Sequence, residues 1–289
     1  MKKYIGWSCD FSKNTGEGQL ARKYIKSNFK YKNIKIISPK FDFYLSQYIY
    51  QIYGVFVLWY YYFLGKKLIY LNYLPLWNFI IFLLSPPNTI FGPITGSIQI
   101  NKIQNIKSIF RLYATPLLYK ISLNILNIRS KKITFATNIL VKFINKDILN
   151  KIYFNFILKD FKFVRNTKQK KIFDLIVYYR KHENKFFNHH LILIKEQIEK
   201  GKKVLVVGNK LNIKGVIQLG KVSKKKMIKL IGNSRYALSG DDNLLSFFNL
   251  ECLQKKIKII FNYKLKFQIV KINKNLFIPY NYELKKFIK

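Results

Sequence analysis

Short apolar runs alternate with longer amphipathic ones along this chain, and polar turns separate them. Residues 3–8 (KYIGWS) read as a strand. A glycine-containing turn follows, Asn14-Thr15-Gly16-Glu17-Gly18, and then residues 19–29 take helical spacing. Residues 33–38 (NIKIIS) read as a strand, 44–64 as a helix and 67–72 (KLIYLN) as a strand. Residues 103–128 have helical length, with Pro116 as a kink or break. Residues 132–136 (KITFA) close the set as a strand. This order predicts a parallel sheet with helices on its faces.

Residues 166–171 (NTKQKK) hold no apolar side chain and read as a linker. A second alternating set follows. Strands are expected at 173–178, 203–207 (closed by Gly208), 216–219 (closed by Gly220), 236–238 and 257–261. Helices are expected at 188–200 (ended by Gly201), 223–231 (with Ser223 as N-cap) and 243–254. The expected fold is therefore α/β, with one Rossmann-like domain over 1–165 and a second over 166–289. The segment after residue 265 is expected to pack back toward the first domain. Ligands of such domains bind at the carboxyl ends of the strands.

Composition removes several alternatives. Apolar residues make up 49% of the 289, which excludes a disordered chain. Two cysteines, Cys9 and Cys252, cannot build a disulfide framework, and no Cys or His pair lies near either to hold a metal. The three histidines all fall between 182 and 190. Basic residues number 53 and acidic ones 13, a net charge of +40. The lysines are spread along the chain without forming a stripe, and Lys, Asn, Ile, Tyr and Phe are the residues that A/T-rich codons encode. Nucleic acid is therefore not the expected partner. The acids are distributed less evenly: between Asp42 and Asp147 there is none.

That acid-free stretch holds the most apolar segments. Residues 44–64 carry no charge and are long enough to cross a bilayer, yet they are rich in Tyr, with Ser46, Gln47 and Gln51 in the first half. Residues 74–84 are too short to span and end before Pro86-Pro87. A helix buried in the first domain and a monotopic contact with a membrane surface both fit. A span would place the strands at 3–8 and 67–72 on opposite sides of a membrane, so 44–64 is expected to pack on the sheet without crossing. After Met1-Lys2-Lys3 the apolar run is only residues 4–7, too short for a secretory signal.

Candidate chemistry lies after the first strand of the second set. Arg180 and Lys185 leave one strand end five residues apart, an arrangement that suits two adjacent phosphates. A solvated basic loop is the alternative. Glu251 sits on an expected helix beside Leu250 and Leu253, where a carboxylate could accept ribose hydroxyls or simply face solvent.

Together these features resemble the retaining GT-B-fold glycosyltransferases of the "glycosyl transferases group 1" family. Arg180 and Lys185 have the spacing of the pair that grips the donor diphosphate in that family. Residues 204–208 (VLVVG) and 219–223 (LGKVS) resemble its strand ending in Gly and its Gly followed by a Ser-capped helix. Ser239 and Glu251 resemble the Ser and the second Glu of its donor motif. Gly16-Glu17-Gly18 resembles its glycine-rich loop beside diphosphate and acceptor. The likeness covers nearly the whole chain and is strongest over 173–261. The position eight before Glu251, where the family has a Glu facing the donor sugar, is Asn243. Asp242 and Asp241 lie one and two residues off that register.

The resemblance implies two Rossmann-like domains facing across a cleft and transfer, with retention, from a nucleotide-diphosphate sugar to an envelope glycan or lipid-linked acceptor. Arg180 and Lys185 would act on the leaving diphosphate. Ser239, Asp242, Asn243 and Glu251 would bind the donor. No cofactor is implied and no metal, since Asp241 and Asp242 are adjacent and not spaced as Asp-x-Asp. The expected location is cytoplasmic, peripheral at the inner face of the cytoplasmic membrane. An inactive homologue, or a non-catalytic basic protein binding nucleic acid or anionic membrane, is the alternative.

Overall fold

The computed structural model describes residues 3–29, 33–39, 46–97, 106–164, 170–180, 188–240, 243–269 and 274–288. The chain forms two compact units, Met1–Lys159 and Asp160–Lys289, dividing a few residues before the boundary expected from sequence. Most of the 166–171 linker lies outside the described residues.

The first unit contains four parallel strands, β1 (Tyr4–Trp7), β2 (Ile34–Ile37), β3 (Lys67–Tyr70) and β4 (Ile90–Phe91), in the order β2-β1-β3-β4. Helices α1 (Gly16–Asn28), α2 (Ser46–Phe63), α3 (Phe79–Leu84) and α4 (Ile106–Arg129) accompany them. A parallel pair, β5 (Ile133–Thr134) and β6 (Ile152–Tyr153), joins through a bridge from Phe135 to Ile94. The inner strands are apolar on both faces, as parallel strands under helices must be. Ile5, Trp7, Leu68 and Tyr70 form one core with Val55 and Leu58 of α2 and with Tyr119, Leu123 and Leu126 of α4.

Two local expectations change. The turn expected at 14–18 is largely the first turn of α1. Thr15 takes an extended backbone and its hydroxyl oxygen accepts the Gly18 N–H, which lets the helix begin at Gly16. Pro116 does not break its helix, because α4 runs through it. Proline removes one helical hydrogen bond, and the buried row of Tyr119, Leu123 and Leu126 outweighs that loss. As expected, α2 lies on the sheet. A Cβ at Gly54 would stand only 2.1 Å from Trp7 Nε1, so glycine is what allows this close approach. Among the described residues, no helix is long and apolar enough to cross a membrane.

The second unit is built on a seven-stranded sheet: β7 (Phe173–Tyr179), β8 (Val204–Gly208), β9 (Ile217–Leu219), β10 (Ser234–Leu238), β11 (Lys258–Asn262), β12 (Phe277–Asn281) and β13 (Lys286–Phe287). The order is β13-β12-β11-β10-β7-β8-β9, and only β13 runs antiparallel. Helices α5 (Asn188–Glu199), α6 (Lys224–Gly232) and α7 (Phe247–Gln254) connect the strands. From β9 to β12 this is the doubly wound order of a dinucleotide-binding sheet.

Within the segment after residue 265, residues 277–281 supply a strand of the second sheet. Phe277 and Tyr280 are buried there, and Phe277 meets Phe261 of β11 edge-on. Helix α7 is shorter than the 243–254 expected. Ser246 caps it, and Asn243 Oδ1 accepts the Leu245 N–H in a turn before it.

Candidate active site

In the second sheet the chain leaves β7 toward β8 on one side and returns to β10 on the other. The carboxyl ends of β7 and β10 therefore flank the topological switch point, where open α/β sheets bind their ligands. Arg180 follows β7 directly and is exposed. Ser239 follows β10 on the neighbouring strand and is buried. The loop after β8 crosses the end of β7, where the Asn209 N–H donates to the Tyr179 carbonyl at 2.9 Å. Gly208 makes this crossing possible. Its φ is +109°, and a Cβ there would stand 2.3 Å from the Tyr179 carbonyl oxygen. Lys185 and Asp242, both expected site residues, lie outside the described residues, as do Asp241 and the rest of residues 181–187.

Ser239 is held from three directions. Its hydroxyl donates to the Gly240 carbonyl (3.0 Å) and accepts from Asn249 Nδ2 of α7 (2.8 Å). Its carbonyl lies 2.9 Å from Nε2 of His190, which is fully buried in the first turn of α5. A carbonyl only accepts, so the imidazole carries its proton on Nε2. Asn249 also donates to the Leu244 carbonyl (3.1 Å), tying the loop after β10 to the helix. Neither His190 nor Asn249 stands out as a site residue in the sequence. Their only signal was a polar residue on an apolar helix face.

Glu251 lies one turn beyond Phe248, whose ring sits 5.7 Å from that of Tyr178 on β7. This contact brings α7 over the end of β7. The Glu251 side chain is only 15% exposed and has Lys224 Nζ of α6 at 3.6 Å. Burial raises its pKa, and Lys224 opposes the shift. Glu251 is thus a partly buried carboxylate with a cation already beside it, and not a solvated helix residue. Asn243 stands in the turn before α7, with its side-chain oxygen committed to the Leu245 N–H.

In the first unit the switch point lies between β1 and β3. Asn72 Nδ2 donates to the Asp10 carbonyl (2.6 Å). Ser8 Oγ, with one proton to give, sits 2.7 Å from that carbonyl and 3.0 Å from Asn72 Oδ1. The Asp10 carboxylate accepts the Ser12 N–H (2.7 Å) and the Thr15 hydroxyl, and Thr15 in turn caps α1 at Gly18. Of the expected loop Gly16-Glu17-Gly18, Gly18 therefore has its N–H committed to the cap. A Cβ on it would stand 2.3 Å from the Ser12 carbonyl oxygen, so its lack of a side chain serves packing. Ser8, Asp10 and Asn72 were not singled out from sequence, although polar residues just past an apolar strand were a signal for them.

A cavity of about 570 Å³ lies at the opposite edge of the second sheet, by the amino ends of β7, β10 and β11. Lys171, Lys202, Arg235, Lys255, Lys256 and Lys258 line it with a single acid, Asp174. Asp174 pairs with Arg235 at 3.5 Å, and Lys171 donates to the Gly232 and Ser234 carbonyls. Doubly wound sheets do not carry their chemistry at this edge.

Comparison with solved structures decides what kind of fold this is. A sucrose-phosphate synthase from Thermosynechococcus elongatus matches with a TM-score of 0.61 at 10% identity, over 96% of this chain and 86% of that one. The fold is of the GT-B glycosyltransferase type. A glycosyltransferase from Rickettsia africae ESF-5 matches with a TM-score of 0.52 at 14% identity, over 98% and 86% of the two chains. The Anabaena protein HepE, solved in complex with UDP, matches with a TM-score of 0.50 at 11% identity, over 91% and 80%. No protein-family model and no curated protein matches the chain. Identities of this size carry the GT-B fold, and chemistry has to be argued from residues.

Proposed function

We propose that the chain is a retaining glycosyltransferase that moves a sugar from a nucleotide-diphosphate donor to an envelope glycan or a lipid-linked acceptor. One observation carries the reading. At the switch point of a doubly wound sheet, an exposed Arg180 follows β7, while a firmly held Ser239 follows the adjacent β10. An arginine there binds two phosphate oxygens at once, and its charge stabilises the diphosphate as the bond to the sugar breaks. Lys185, five residues further along the sequence, adds a second cation. Two fixed cations replace a metal ion in this reading, so transfer is metal-independent and needs no cofactor.

Ser239, Asp242 and Asn243 border the donor, and Glu251 accepts ribose hydroxyls beside Lys224. In the first unit, the Gly16 end of the loop Gly16-Glu17-Gly18 faces diphosphate or acceptor, because the Gly18 N–H is already taken. The enzyme works at the inner face of the cytoplasmic membrane, where lipid-linked acceptors are found.

Titration calorimetry with a panel of nucleotide-diphosphate sugars tests the proposal. Each charge-assisted contact is worth about 1.5–3 kcal/mol. Arg180→Ala should therefore weaken binding about ten- to a hundredfold, with the thermal unfolding midpoint unchanged because Arg180 is exposed. Unchanged affinity removes the reading.

The basic cavity at the amino edge of the second sheet favours a second reading, a non-catalytic protein that binds polyanions there. Under that reading heparin competes away the ligand, Lys255→Ala weakens binding and Arg180→Ala does not.

A further inference from the structure

A helix packed on a sheet normally buries one apolar stripe and turns a polar face to water. Helix α2 departs from this. Its inner stripe, Val55 and Leu58, is buried on β1 and β3. Its outer stripe, Ile49, Ile52, Tyr53, Phe56, Tyr60 and Phe63, recurs at helical spacing and is equally apolar, yet every one of these residues is exposed, from 50% at Ile49 to 78% at Phe63. Helix α3 repeats the pattern, with Ile81 and Phe82 buried and Ile80, Leu83 and Leu84 exposed. The two helices are tied by a bond from Trp59 Nε1 to the Leu84 carbonyl (2.8 Å). Between them runs a groove of about 270 Å³ walled only by apolar side chains.

Three features say what covers this face. First, its surroundings are basic. Lys66 and Lys67 follow α2, Lys35 Nζ lies 6.0 Å from the Tyr61 ring, and Arg129 donates to the carbonyls of Phe82 and Ser85 at the end of α3. No acid occurs in sequence between Asp42 and Asp147. Second, beside Phe56 and Phe63 the face carries Trp59 and a run of tyrosines, side chains that favour the boundary between headgroups and hydrocarbon. Third, α2 is fixed flat. Gly54 seats it against Trp7, and its inner stripe belongs to the core, so the helix offers its outer face without leaving the sheet.

We infer that the outer face of α2 and α3 is a monotopic docking surface for an anionic lipid bilayer, with Phe56, Phe63, Leu83 and Leu84 entering the acyl boundary while Lys35, Lys66 and Lys67 meet lipid phosphates. The eighteen residues of α2 then lie in the plane of the interface. The surface goes beyond the transferase reading and does not depend on it.

Sedimentation of the full chain with vesicles tests the inference. The protein should bind vesicles containing phosphatidylglycerol, bind pure phosphatidylcholine vesicles more weakly, and release only partly in high salt, because the apolar part is not screened. Phe56→Ser with Leu83→Ser should lower partitioning about tenfold or more. Nucleotide-sugar affinity and the unfolding midpoint should stay where they are, which separates this test from that of the transferase. Three results would overturn it: no binding by the unaltered chain, equal binding by the double variant, or a vesicle-independent dimer that the same substitutions dissociate. If the double variant fails to fold, the unaltered protein decides. Bromine-labelled acyl chains should quench its tryptophan fluorescence through Trp59, and absence of quenching refutes the docking surface.

Discussion

Two glycines of the second unit make a controlled experiment on what holds the end of β7 in place. Gly208 and Gly201 both have positive φ, +109° and +69°. Only Gly208 is crowded, with 2.3 Å between a would-be Cβ and the Tyr179 carbonyl oxygen. Nothing lies within 4 Å of a Cβ on Gly201. Gly201→Ala therefore carries the backbone cost alone, about 1 kcal/mol. Gly208→Ala carries a backbone cost of about 1–3 kcal/mol and must also push the loop off β7. That displacement loosens the bonds from Asn209 N to Tyr179 O (2.9 Å) and from Gly208 N to Gly220 O (3.3 Å), each worth about 1 kcal/mol. The sum is about 3–5 kcal/mol. In a unit of this size each kcal/mol lowers the midpoint by about 3–5 °C. Thermal melts followed by circular dichroism should thus show a loss of about 9–25 °C for Gly208→Ala and about 3–5 °C for Gly201→Ala. Nucleotide-sugar affinity should fall only in Gly208→Ala, because the displaced loop packs on Tyr179, the residue before Arg180. Equal losses in the two variants would refute the argument that close approach, and not glycine's backbone freedom alone, shapes this corner.

Glu251 gives a pH dependence. Its pKa is raised in the folded state by burial, so folded protein takes up the proton more readily than unfolded chain. Stability should be greatest below the ordinary carboxyl value of 4.5 and fall as pH rises through the raised folded value. Midpoints of the unaltered chain and Glu251→Gln, compared across that window, should diverge in this direction, and Lys224→Ala should widen the gap. Asn249→Ala leaves the Leu244 carbonyl without its side-chain donor and should cost about 1–3 kcal/mol in denaturant unfolding. The thiols should be inert in the native state. Burial pushes Cys9 up to about 11 and Cys252 well above its ordinary value. Alkylation at pH 8 should therefore be slow until denaturant is added, and fast native labelling of either would contradict their placement.

Periodicity alone carried the alternation of strands and helices in both units, because burial on parallel strands writes continuous apolar runs and helix faces write a 3.6-residue repeat. It also placed Ser223 as a cap and Arg180 at a strand end. The elements it missed were short or depended on distant partners. β4 has two residues, and β12 is a strand because β11 offers it a free edge. The start of α1 moved because a cap is a local contest that Thr15 wins over the glycines beside it. What holds the candidate site was beyond reach for the same reason. Ser239, His190 and Asn249 are separated by 49 and 10 residues and meet only when α5 and α7 pack at the end of β10. Asp10 and Asn72 are 62 residues apart and meet only because β1 and β3 are neighbours. Sequence determined which segments could be buried and where fixed charge could stand. Which apolar face of α2 met the sheet and which was left to solvent was a question of partners, and only the tertiary structure answered it.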